Sequence, residues 1–496
     1  MKRINNLFWF RNDLRLEDNS ALSACSNFES SAAIYIYDKR IIANPDFSNL
    51  HLDFINDSLF ELNQKFQESD SYLNIFYGDT VQILNEIHMD YGVKNLFSHH
   101  EVRNLIVHNL DKNINVWCQE IGVRWHQFQR NGVVKNLKNR DGWSRLWSNE
   151  MKKPLISKPN ISNFKKLEST TGILSRDQLG IAKIHYTKQF KGGEQAAKSQ
   201  LEKFLNETGQ TYSKDISSPL SASRSCSRLS SYLSYGNLSL RHLVKKTQER
   251  QVYLRKKKTR DGWLGSLSAF SSRLRWHCHF IQKLEMQPSL ENTNMVRAFD
   301  SIRSDTNKDF LLRWQMGETG NPMIDACMRF LKKNGWINFR MRAMLVSFAS
   351  YNLWLDWRTT SKFLSKYFID YEPGIHYNQF QMQSGVTGIN AIRIYNPIKQ
   401  QADHDPSGEF VRKWVPELVN VPKDYLQYPQ LMSEFLQKKV GCIIGKSYPE
   451  PVVDVKISSL IARKNIFSIK ALSTTRKQSN IAYQVHGSRR KIRRKI

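Results

Sequence analysis

Short apolar runs rich in β-branched and aromatic residues mark the N-terminal part of the chain: Asn6 to Phe10, Ala32 to Tyr37, Tyr72 to Phe76, Val93 to Phe97 and Val123 to Phe128. Stretches with helical spacing, such as Leu50 to Phe66 and Val81 to Ile87, lie between them. The alternation predicts a parallel, Rossmann-like sheet covered by helices. No G-x-G-x-x-G follows the first run, so this α/β domain lacks a dinucleotide fingerprint. From about Leu137 to Ile184 the periodicity fades and Lys, Asn, Ser, Pro154 and Pro159 stand out, which predicts a connection wrapped over the surface. Beyond Gln195 helical spacing takes over, as in Ile324, Met328 and Leu331, or Met344, Phe348 and Leu355. The predicted organisation is an α/β domain over 1–136, a linker over 137–194, an all-α domain over 195–470 and a basic C-terminal tail over 471–496. The tail reading rests on Arg489, Arg490, Lys491, Arg493, Arg494 and Lys495, with almost nothing to bury among them.

Size agrees with more than one core, since 496 residues exceed what one usually serves. Charge adds a partner. Seventy-four Lys and Arg against 45 Asp and Glu give a net charge of +29, and a polyanion is the expected ligand. Nucleic acid is preferred to an anionic membrane because no amphipathic anchor or lipidation motif is present. No apolar leader follows Met1, and the longest apolar run, about Ala343 to Leu355, falls short of a membrane span. A soluble, cytoplasmic monomer is expected. The six cysteines are widely spaced with no C-x-x-C pair, as suits reduced thiols.

Candidate chemistry begins at W-F-R-N-D-L-R-L-E-D-N, Trp9 to Asn19. Its Arg11, Asp13, Arg15 and Asp18 read as a structural loop of mutually paired charges at the C-terminal edge of a sheet. A closely similar stretch opens photolyases and cryptochromes, which the chain resembles. The resemblance is stronger in W-Q-M-G-E-T-G-N-P-M-I-D-A-C-M-R-F-L-K-K-N-G-W-I-N-F-R-M-R (Trp314 to Arg342), L-D-W-R (Leu355 to Arg358), R-I-Y-N-P (Arg393 to Pro397) and D-P-S-G-E-F-V-R-K-W-V-P-E-L (Asp405 to Leu418). A weaker block is S-R-L-S-S-Y-L-S-Y-G-N-L-S, Ser227 to Ser239.

The resemblance implies an antenna domain of α/β type and an all-helical domain holding FAD, with a folate or deazaflavin as a further expectation for the antenna. By matched position it implies that Tyr212, Cys226, Ser227, Arg228, Leu229 and Ser230 line the phosphate and adenine side. It sets Arg342 and Asp370 against the isoalloxazine with Glu372 beside them, and offers His376 or Asn378 as the neighbour of flavin N5. Alone, Arg342 and Asp370 read as a salt bridge between helices, and Ser227 and Ser230 as helix caps. Damaged DNA is the implied partner, with Trp276 under a flipped pyrimidine lesion and Arg273, Arg340, Met382 and Arg393 around it. Trp276 packing between helices is the plainer reading. The implied activity is light-driven splitting of pyrimidine dimers, with a cryptochrome-type photoreceptor as the alternative.

Departures from the family pattern matter too. Arg273 stands where many relatives carry a carboxylate, and Phe339 and Met382 replace an Asn and a second Trp. Of the family's relay of three tryptophans only the middle one, Trp357, is matched. Phe380 replaces the proximal one, which leaves Trp354 and Trp314 as candidate substitutes. His99-His100 and His277-Cys278-His279 resemble metal ligands, yet i and i+2 positions on a helix point apart, so no metal is expected.

Overall fold

The computed structural model describes residues 3–487 apart from 259 and 305. Its sheet contains β1 (Asn6–Phe10), β2 (Ser31–Asp38), β3 (Leu73–Gly78), β4 (Asn95–His99) and β5 (Arg124–Phe128), all parallel, in the order β3-β2-β1-β4-β5. Each predicted run is a strand to within about two residues. Between them run α1 (Ser20–Ser26), α2 (Asn49–Gln67), α3 (Thr80–Tyr91) and α4 (Leu105–Ile121). Asp79 caps α3 by accepting from Val81 and Gln82, and Asn104 caps α4 by accepting from Val107.

The connection is less loose than expected. It contains α5 (Trp143–Lys152), whose Trp143 and Trp147 are buried, and then runs without helix along the sheet edge. Ile161, Phe164 and Leu167 are buried there, and Lys165 donates its backbone N–H to Ser31. Thus the segment closes the β2–β3 side of the sheet.

Helices α6 (Glu194–Asn206), α7 (Ser230–Ser234), α8 (Leu240–Lys256), α9 (Trp263–Met286), α10 (Pro322–Asn334), α11 (Phe339–Ser347), α12 (Trp357–Ser365), α13 (Pro373–Gln383) and α14 (Pro397–His404) build the helical domain. The chain then continues to α15 (Val455–Ala471) and α16 (Ser473–His486). Helix α16 corrects the expected tail: Thr475 and His486 are buried, His486 Nε2 lies 2.7 Å from Gln287 Oε1, and Gln478 Oε1 accepts from Ala298 N–H. Ser473 to His486 carry only Arg476 and Lys477 among their Lys and Arg, so the charge run that motivated the tail begins later, outside the described residues.

One apolar core crosses the domain boundary, joining Phe8, Phe10 and Phe54 of the sheet domain to Tyr232, Tyr235 and Phe270 of the helical domain. Gly236 shows how close the two come. Its φ is +69°, and a Cβ there would meet the Asn12 carbonyl oxygen at 2.1 Å.

Candidate functional site

The R-N-D-L-R loop is paired, but largely across to other elements. Arg11 binds Asp111 through two bonds of 2.7 and 3.1 Å, and Asp13 meets His99 Nδ1 at 2.6 Å. Arg15 donates to the Gly236 carbonyl at 2.9 Å, and Asp18 accepts from Arg241 at 2.6 Å, both in the helical domain. The motif thus joins the two domains.

The residues matched to the cofactor converge from three places. The loop before α7 brings Cys226 to Leu229, α11 brings Arg342, and the turn before α13 brings Asp370. Arg342 donates to Asp370 through two bonds of 2.9 and 3.0 Å, and its Nε donates to the Ile337 carbonyl at 2.7 Å. Burial pushes Asp370 toward its neutral form, but the charge and bonds of Arg342, with help from Ser230, hold its carboxyl below the usual range. The pair is therefore ionised and rigid. Arg228 lies 3.9 Å over the Trp336 ring and 4.4 Å over Phe190, and burial draws it down to about 10. Burial raises the Cys226 thiol to about 12, so it stays neutral. Tyr212 is buried edge-on against Phe204 and Phe270, and Ser227 Oγ accepts from Leu229 N–H at 3.5 Å.

Polar atoms left over here test whether a flavin dinucleotide fits. Arg228 Nε, Ser231 Oγ and Asn338 Oδ1 are buried without partners, a state that a ligand with matching groups relieves. The Arg228 guanidinium and the neighbouring serine hydroxyls suit a pyrophosphate, and the Arg342–Asp370 pair offers both donors and acceptors to a flavin edge. The donor set fits FAD.

His376 on α13 is buried amid Phe368, Tyr371, Tyr377 and Phe380, with Phe380 at 4.5 Å between ring centres. Burial lowers it to about 3, so the ring is neutral. Its Nε2 lies 3.0 Å from the Ser361 carbonyl, which can only accept, so the ring proton is on Nε2. Asn378 commits its amide donors to the carbonyls of Phe280 and Gly374, at 3.1 and 2.7 Å, tying α13 to α9. Glu372 faces the sheet domain, where Arg103 lies 3.8 Å away. Among the relay candidates, Trp357 is buried and bonded to Asn294, Trp314 is fully buried against Phe363, and Trp354 lies under Arg303.

A second group of matched residues faces outward. Trp276 on α9 is 48% exposed, and Phe339 at the start of α11 is 46% exposed. Arg273 lies 4.2 Å over the Trp276 ring. Arg340 donates to Ser217 Oγ at 2.9 Å, Met382 is half-buried on α13, and Arg393 is exposed. Helices α9 and α11 both pack on α13, and the segment after Arg393 is tied to α11 by the 3.0 Å bond from Tyr395 N–H to Ser347 Oγ.

Sequence reasoning missed the side chains between the domains. Arg103, Asp46 and Tyr371 meet there, and a cleft of about 570 Å³ opens nearby, lined by His100, Glu101, His108, Asp111, Trp125 and Glu285. The E-V-R-N run after His99-His100 was the available signal. Among the described residues no group of three or more His, Cys, Asp or Glu could hold a metal, and no helix is long and apolar enough to cross a membrane.

Comparison with known proteins matches both domains. The DNA photolyase domain model matches residues 6–141, and the model of the FAD binding domain of DNA photolyase matches 270–467. The second span contains Arg342, Asp370 and His376; the Tyr212 to Ser230 region precedes it. The deoxyribodipyrimidine photo-lyase of Escherichia coli is 27% identical over 482 residues, covering 91% of this chain and 96% of that protein. Cryptochrome DASH of Synechocystis is 27% identical over 500 residues, covering 93% and 97%. The structure of a class III photolyase from Agrobacterium tumefaciens superposes with a TM-score of 0.81 at 24% identity, over 95% of this chain and 99% of that one. With both of its domains matched and its relatives aligned over nearly its whole length, the chain belongs to the DNA photolyase and cryptochrome family.

Proposed function

We propose that this protein is a cytoplasmic photolyase that splits pyrimidine dimers in DNA under blue light, with FAD held between the Cys226 to Ser230 loop and the Arg342–Asp370 pair. The observation that carries the proposal is Trp276, a large ring left 48% exposed with a guanidinium 4.2 Å above it. An extruded base requires an aromatic plane, and flanking phosphates require cations such as Arg340 and Arg393. When bound in its reduced form, FAD supplies light absorption and the electron that opens the dimer. Around it the chain's side chains position and exclude water: Arg342 and Asp370 fix one edge, and neutral His376 offers Nδ1 as an acceptor. No side chain acts as a nucleophile.

The 570 Å³ cleft between the domains is our assignment for the antenna chromophore, since that volume lies within the range of small-molecule sites. A photoreceptor role is the second reading, favoured by an identity to a cryptochrome equal to that to a photolyase. The test is incubation of purified protein with oligonucleotides carrying one cyclobutane dimer or one (6-4) product, in light and in darkness. Light-dependent restoration of either lesion is expected; failure with both overturns the repair reading and leaves the photoreceptor.

A further inference from the structure

Tyr371 belongs to the helical domain and Asp46 to the sheet domain, yet the Tyr371 hydroxyl donates to Asp46 Oδ2 at 2.7 Å. The Tyr377 hydroxyl lies 3.0 Å from that of Tyr371. A carboxylate only accepts, so the Tyr371 proton points to Asp46 and Tyr377 donates to the Tyr371 oxygen. Asp46 also accepts from Asn104 Nδ2 at 3.0 Å. All three residues of this chain of bonds are buried. The two tyrosine rings border His376 at 5.0 and 5.4 Å, and Trp357 stands edge-on to Tyr377 at 6.4 Å. Phe380 at 4.5 Å and Phe368 at 5.9 Å from His376 add rings that oxidise reluctantly.

We propose that Tyr371, with Asp46 as its proton acceptor, is a redox-active tyrosine that gives an electron to light-excited oxidised flavin. This rests on the FAD-binding part of the reading above and not on DNA repair. One electron leaves the Tyr371 side chain, its O–H bond breaks, and the proton forms a new O–H bond on Asp46. What remains is a neutral phenoxyl radical, steadied by the hydrogen bond from Tyr377. A small-molecule thiol then returns an electron, and Asp46 returns the proton.

Charge decides between Tyr371 and Trp357. Oxidised Trp357 would be a buried cation, because its Nε1–H is held at 2.7 Å by the Asn294 amide oxygen, which takes no proton. Creating unpaired charge in an apolar interior is unfavourable, whereas the Tyr371 step moves a proton with its electron and leaves the radical uncharged.

The experiment uses air-oxidised holoprotein, with bound flavin measured first by its visible absorbance. Illumination with a thiol, followed by electron paramagnetic resonance and transient absorption, should reveal a neutral tyrosyl radical. Tyr371→Phe should remove that signal while flavin stays bound. Asp46→Asn keeps the shape and an acceptor oxygen but takes no proton, and should slow photoreduction by about a hundredfold or more, the usual worth of a positioned proton acceptor. A tryptophan radical lost in Trp357→Phe and kept in Tyr371→Phe overturns the proposal, as does photoreduction unchanged in both Tyr371→Phe and Asp46→Asn. Purified protein that holds no flavin overturns the cofactor reading together with it, whereas a tyrosyl radical in a protein that repairs no lesion supports this proposal alone.

Discussion

Arg273 holds its guanidinium 4.2 Å above the ring of Trp276, so a cation borders the exposed aromatic plane of the helical domain. Trp276→Ala should weaken binding to lesion-containing DNA by roughly 1 to 3 kcal/mol, the usual worth of one base–aromatic stack. Undamaged duplex, touching only the charged rim, should bind nearly as before. Titrations with matched damaged and undamaged oligonucleotides check this; equal weakening for both would make Trp276 a packing residue.

Salt should weaken DNA binding steeply. If Arg340, Arg393 and the basic C-terminal run neutralise about six phosphates, affinity should fall by about a thousandfold between 50 and 200 mM salt. The slope of log affinity against log salt measures the number of phosphates, and a flat line counts against a phosphate track.

Removing Arg342 should harm both cofactor and fold. Arg342→Ala leaves Asp370 buried and unpaired, a change that costs about 3 to 5 kcal/mol in comparable buried pairs. Because Asp370 titrates below its ordinary value, the pair's contribution is present above that value and is lost as pH falls through the folded one. Flavin retained after gel filtration, compared with denaturation midpoints, reads both effects; a variant that stays stable and yellow contradicts the assignment.

Acid should destabilise the protein through its buried histidines. Burial depresses His51, His100 and His277 to about 4 and His376 to about 3. Each such histidine stays neutral when folded but takes a proton when unfolded once pH drops below its ordinary value of about 6.5. Their stabilising effect is therefore complete above that pH and lost progressively from about 6.5 downward. Urea melts at pH 7.5, 6 and 5 should show falling midpoints, and midpoints that stay level would refute the neutral, buried state.

The strands were legible because each is a short apolar run bounded by turn residues, whereas the order β3-β2-β1-β4-β5 was not, since a parallel rhythm leaves the order open. Helix α4 was not singled out: its buried Val107, Leu110, Ile114 and Trp117 lie on one face among polar residues. Local pattern also concealed α16, a polar helix held by tertiary bonds from His486 and Gln478. The Arg342–Asp370 pair could be anticipated from motif positions 28 residues apart. Asp46 and Tyr371 are 325 residues apart and meet only because the domains are docked. No periodicity encodes such a contact.

The close approach of Gly236 to Asn12 has a consequence for how the chain comes apart. With a shared core, the Arg15 and Asp18 bonds and no room for a Cβ at that contact, neither domain presents a finished surface without the other. Heating should therefore melt both in one transition, and the helical half expressed alone should expose the apolar faces of Tyr232 and Tyr235 and aggregate. The boundary drawn along the sequence marks a change of architecture inside a single cooperative unit, so a substitution on either side is felt on both.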